Sequence, residues 1–149
     1  MAGMRKQIRD NLIALISIVI AMSALGYNTW RNERTERNRN IRVAGIEMLR
    51  EIGSLQQIIS YAHYSEPDTG DKTRADPRGD PRMGWADVAT ISDLAALMPA
   101  DVTRDAAKLR ETWDADSAGL IEHDDAYARI DGAIDTLRQT TLAELRALR

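Results

Sequence analysis

Apolar residues are distributed along this chain in two regimes. From Asn11 to Trp30 the run NLIALISIVIAMSALGYNTW carries no formal charge and is apolar on nearly every side. Beyond residue 40 apolar residues return at three- and four-residue intervals, the rhythm of helices that bury one face. About 20 mostly apolar residues suffice for a helix to cross roughly 30 Å of hydrocarbon with its backbone polar groups bonded internally. The first run therefore predicts a transmembrane helix over 11–30. Ala24 and Gly26 before Tyr27 resemble a signal-peptide cleavage site, but the apolar run exceeds the usual core of about 7–15 residues, so an uncleaved anchor is expected.

Two features qualify this anchor. Tyr27 and Trp30 stand where amphipathic rings settle at the headgroup level, followed by Arg31 and Arg34, and these four form the expected membrane interface. Ala14, Ser17, Ala21 and Ala24 line one stripe of small residues, against which a partner helix can approach closely.

The polar collar that follows contains no Pro or Gly between Thr29 and Asn40, so the helix is expected to continue through it. Ile41, Gly45, Met48, Ile52, Leu55, Ile59 and Ala62 then alternate four- and three-residue steps, with Ile46, Leu49 and Ile58 widening the stripe. Gly45 and Gly53 in such a helix suggest close packing or a bend, since each costs about 1 kcal/mol against Ala. Residues 65–84 hold three of the four prolines, no apolar rhythm and a repeated Asp-Pro-Arg, and predict a loop; its Arg78-Gly79-Asp80 tripeptide is a weak adhesion motif. A second helix is expected from Trp85 to Met98, ended by Pro99. A third, with Asp101 as N-cap, presents Val102, Ala106, Leu109 and Trp113 on one face and ends near Gly119. The last, from Leu120 to Leu148, carries Tyr127, Ile130, Ile134, Leu137, Thr141, Leu145 and Leu148 on one side.

These elements divide the chain into a basic tail (1–10), the transmembrane helix (11–30), a collar with an amphipathic helix (31–64), the loop (65–84) and the remaining helices (85–149). The expected fold is all-α, a single N-terminal transmembrane helix continuing into a small antiparallel helical bundle. The first and last soluble stripes are long and the two helices between them short. Ile52, Leu55, Ile134 and Leu137 are therefore expected to remain partly uncovered and to form a partner interface.

Composition narrows the chemistry. The chain lacks Cys, which removes disulfides, thiolate metal sites, iron–sulfur clusters and cysteine nucleophiles. It also lacks Phe, so its core must be built from Leu, Ile, Ala, Met and a few Trp and Tyr, a palette suited to packed helices. The net charge of −3 conceals an asymmetry, with arginines crowding the anchor and acids the remainder. The basic collar suits anionic lipid headgroups, and the acidic remainder argues against nucleic acid. Arg31, Arg34, Arg37, Arg39 and Arg42 outnumber Arg5, Lys6 and Arg9, which favours the cytoplasmic over the periplasmic side of a bacterial inner membrane for the bundle; the opposing reading is a signal anchor, in which a short tail before a long domain puts the domain outside.

The two histidines, His63 beside Tyr61 and Tyr64, and His123 within Glu122-His123-Asp124-Asp125, lie at helix ends that packing can bring together. Neither has the spacing of a metal-binding pair, so no metal and no cofactor is expected. No phosphate-binding glycine loop or nucleophile elbow occurs either. The residues thus favour a membrane-anchored accessory or scaffold subunit that binds membrane proteins or its own copies, and not an enzyme. The alternative is a tethered sensory or small-ligand-binding helical domain.

Overall fold

A computed structural model describes the backbone of residues 2–64 and 77–148, and side-chain environments for 11–64 and 78–148. Four α-helices follow one another: α1 (Ala2–Tyr64), α2 (Pro81–Ala95), α3 (Ala100–Asp116) and α4 (Asp124–Ala147), with 3-10 turns at Pro77–Gly79 and Ser117–Gly119. Among the described residues there is no strand. The chain divides into two compact units, Met1–Arg39 and Asn40–Arg149, so the boundary falls within α1.

In the first unit the apolar side chains have no protein to pack against. Leu12, Ile13, Leu15, Ile16, Ile18, Val19, Ile20, Met22 and Leu25 are each at least half exposed. Among the described residues this is the one helix long and apolar enough to cross a membrane. Its hydroxyls fold back on the preceding turn, Ser17 Oγ donating to the Ile13 carbonyl at 2.9 Å and Thr29 Oγ1 to that of Leu25 at 3.0 Å. Such internal bonds hide polar atoms from an apolar solvent.

The second unit is a helical bundle around one core. Ile41, Met48, Ile52, Leu55 and Ile59 of α1 meet Val88 and Ile91 of α2, Val102, Leu109 and Trp113 of α3, and Ile130, Ile134 and Leu137 of α4. Contacts pair early residues of one helix with late residues of the next. Asp105 and Asp116 of α3 reach Thr140 and Arg129 of α4, and Gln56 and Met48 of α1 reach Asp131 and Thr141.

This packing corrects one expectation. Ile52, Leu55, Ile134 and Leu137 are fully buried within the chain and offer nothing to a partner. The physical reason is that α2 and α3 are aided by the segment between helices. Leu120, which precedes α4, is fully buried, and Gly84 brings the α2 backbone so close to Trp113 that a Cβ there would collide with the indole. Where sequence suggested uncovered stripe, the widest side chain of the core fills the space.

Three boundaries also differ. Helix α2 starts at Pro81 rather than Trp85, because Asp80 caps it by accepting from the Arg82 amide at 2.9 Å and Pro81 supplies a preset first-turn φ. Helix α3 starts at Ala100 with Pro99 at the cap position, leaving Asp101 in the first turn as a favourable charge beside the helix N-terminus. Helix α4 starts at Asp124, after the 3-10 turn and not at Leu120. Of the two mid-helix glycines, Gly45 does mark close packing, since a Cβ would sit 2.8 Å from Leu145 Cδ2, whereas Gly53 has nothing within 4 Å. Most of the expected loop, 65–76, lies outside the described residues.

Candidate functional site

Two regions gather the residues to which sequence assigned function. The first is the end of the apolar run. One turn of helix separates Tyr27 from Trp30, bringing their rings to 6.1 Å, and a further turn places the Arg34 guanidinium 5.7 Å from the Trp30 ring centroid. A cation over an indole face keeps its charge toward water while its stem follows the ring, an arrangement suited to a boundary between apolar and aqueous media. Arg31 is exposed beside them. Ala14, Ser17, Ala21 and Ala24 are all exposed, and no other part of the described chain covers their stripe.

The second region lies where the end of α1 meets the start of α4. His63 stacks on Tyr127 at 4.3 Å with an interplanar angle of 16°, and Tyr64 meets both rings edge-on at 4.7 and 5.5 Å. His63 Nδ1 is buried without a hydrogen-bond partner, and Nε2 stands 3.8 Å from an oxygen of the exposed Asp124. That separation is too long for a hydrogen bond, and a solvated carboxylate at this range contributes little. Burial, with help from a Tyr64 hydrogen bond, pushes the Tyr127 hydroxyl up to about 12. The three rings are stacked edge to face and face to face, which is the geometry of aromatic packing. His123 does not join the cluster but lies against Gly119.

Beside the cluster runs a polar chain that sequence did not reveal. Gln56 donates to Asp131 at 2.7 Å and accepts from Arg138 at 3.3 Å, and Arg138 also reaches Asp135 at 2.6 Å. Its partners are more than 70 positions apart in sequence, and no local pattern announces them. The 3-10 turn at Pro77–Gly79 closes the same end. Arg78 lies 4.5 Å over the Tyr61 ring, and Gly79 approaches the Tyr61–Ala62 backbone so closely that a Cβ would lie 2.6 Å from the Ala62 nitrogen. The Arg78-Gly79-Asp80 tripeptide is thus tied into the fold, its Asp80 capping α2.

A groove of about 430 Å³ between α3 and α4 is lined by Ala115, Gly132 and Ala133 together with Lys108, Glu111 and Arg129. Arg129 is engaged by both oxygens of Asp116 at 2.8 Å, and the guanidinium holds that carboxyl below the usual carboxylate range. Among the described residues no group of three or more His, Asp or Glu is placed to hold a metal ion. No family model, curated protein or solved structure matches the chain.

Proposed function

We propose that this chain is a single-pass, membrane-anchored accessory or scaffold subunit of a bacterial inner membrane, holding a small antiparallel helical bundle at the cytoplasmic surface and acting through helix–helix contacts rather than catalysis. The observation that carries this reading is the uncharged, fully exposed apolar surface of residues 11–30, closed by the Tyr27–Trp30–Arg34 stack. Such a surface in water would be strongly unfavourable, and lipid or another membrane helix relieves it. The collar arginines then sit where anionic headgroups attract them, at about 1 kcal/mol each near the surface. Ala14, Ser17, Ala21 and Ala24 offer a neighbouring membrane protein a close approach.

The sensory alternative draws on the α3–α4 groove, whose volume is that of a small-ligand site. It is the weaker reading, because the groove's charged groups pair with one another instead of converging on an occupant.

The test is fractionation and topology. The full chain should stay with membranes through alkaline carbonate, and deletion of residues 11–30 should release it. Protease added outside spheroplasts should leave residues 40–149 intact. Release of the full chain by carbonate would remove the anchor reading, and external digestion would reverse the orientation. Bulk added to the small stripe, as Ser17→Leu with Ala21→Leu, should lower co-purification of membrane partners while Ile18→Leu does not.

A further inference from the structure

Within the second unit, one face of α1 is turned away from the core. Val43, Ile46, Arg50, Gly53 and Gln57 recur at alternating three- and four-residue steps, and all five are exposed. Among the described residues of α1's bundle portion, Val43 and Ile46, at 63% and 58% exposure, are with the terminal Tyr64 the large apolar side chains that face outward. Gly53 is an interior helix glycine whose Cβ would meet nothing within 4 Å among the described residues, so no described contact gives it a packing reason. A three–four repeat of outward positions is the spacing of a coiled-coil seam, and a glycine on such a seam admits close backbone approach.

Charge selects the occupant. Flanking the Val43–Ile46 step are exposed Arg42 and half-exposed Glu47, five residues apart, and within one chain Glu47 pairs with Arg50 of its own helix at 2.8 Å. In a parallel pair of identical helices these two positions face each other across the seam, Arg42 of each copy toward Glu47 of the other, giving two opposite-charge pairs. An antiparallel copy or an unrelated acidic helix does not use both charges in this way.

We propose that this face of α1 docks a second copy of the same chain in parallel, with Val43 and Ile46 at the centre and Arg42 and Glu47 at the edges. The proposal rests on the membrane-anchored reading for its parallel sense, since two anchors inserted in the same direction present the face in register. Two apolar residues per copy are too few for tight association from dilute solution. Confinement to one membrane supplies the missing term by raising the effective concentration.

Because the chain has no cysteine, single replacements report proximity without background. Full-length Val43→Cys, Ile46→Cys and, as a control on the exposed side of α3, Arg110→Cys would be reconstituted in vesicles containing anionic lipid, oxidised, and floated on a density gradient. The two α1 variants should form disulfide-linked dimers at least about tenfold more than the control, as expected for a specific face over random encounter. Arg42→Glu or Glu47→Arg alone should reduce the yield at position 46, and the two together should restore it. Equal cross-linking at all three positions, or none on α1, would overturn the proposal. Flotation is scored separately, so vesicle-bound protein without α1 cross-links rejects the dimer and leaves the anchor, while unbound protein rejects the anchor and with it the dimer that needs confinement to one membrane.

Discussion

Gly84 and Gly132 are both helical glycines, and the structure predicts opposite responses to the same change. A methyl group at Gly84 would collide with the fully buried Trp113 ring and reach 3.0 Å from Leu55 Cδ1, so Gly84→Ala should destabilise the bundle by roughly 1–3 kcal/mol. At Gly132 nothing lies within 4 Å, and Gly132→Ala should add about 0.5–1 kcal/mol through the unfolded chain's lost freedom. Urea unfolding of both variants checks the pair, and equal shifts would contradict the packing described. Asp87 gives a pH-dependent prediction. Burial, partly offset by a Ser54 hydrogen bond, raises its carboxyl above 3.8, and one of its oxygens is buried without a partner. A raised carboxyl favours the folded state when protonated, so this contribution is fully present below pH about 3.8 and is lost as pH rises through the folded value. Asp87→Asn should therefore stabilise the protein at neutral pH, and the advantage should vanish in acid. Denaturation midpoints at both pH values would show it.

At the scale of elements, the apolar rhythm was a good guide to faces and a poor one to ends. The main stripes read as the inward faces of α1, α3 and α4 enter the core, because a stripe at helical period has few other ways to hide, but Ile46, read as widening the α1 stripe, is 58% exposed and turns outward. Helix α2 starts ahead of its apolar rhythm because Asp80-Pro81, a dipeptide that suits turns, also serves as cap and first residue of a helix. The Asp80 side chain also bonds the Arg82 guanidinium, whose hydrogen bond holds its carboxyl below 3.8. Asp80→Ala should leave the first turn of α2 frayed, seen as faster hydrogen exchange at the Arg82 and Met83 amides with the Ile91 amide unchanged. What the rhythm could not supply was the pairing of distant groups. Stacking of His63 on Tyr127, and the hydrogen bonds of Gln56 with Asp131 and Arg138, depend on how two helices meet, and single-helix periodicity is silent on that.

For the molecule as a whole, the contrast between the units decides how each tolerates change. Ile52 and Ile134 sit in a closed core, so Ile52→Asp or Ile134→Asp should abolish cooperative unfolding of the bundle and lower its stability by more than about 4 kcal/mol. Loss of helicity by circular dichroism, together with early thermal melting, is the expected record. Retained helicity with altered association would instead restore the partner interface first read from the long stripes. Helix lengths alone overstate how much stripe stays uncovered. Trp113 and Leu120 contribute volume that a count of turns omits. In the first unit the same kind of substitution, Ile18→Asp, should leave the bundle folded and reduce membrane retention, since a charge at the centre of a span costs about 3 kcal/mol.

The three tryptophans occupy three different settings: Trp30 beside Tyr27 and Arg34, Trp85 partly exposed on α2, and Trp113 sealed in the core with its indole nitrogen unbonded. An indole without a polar neighbour emits at short wavelength, while one in contact with water emits further to the red. The chain therefore carries its own optical reporters. With Trp85 replaced by tyrosine, the blue component would follow melting of the bundle, and quenching of the remaining emission by brominated lipid would follow insertion of the anchor, so both events can be timed in one unlabelled sample.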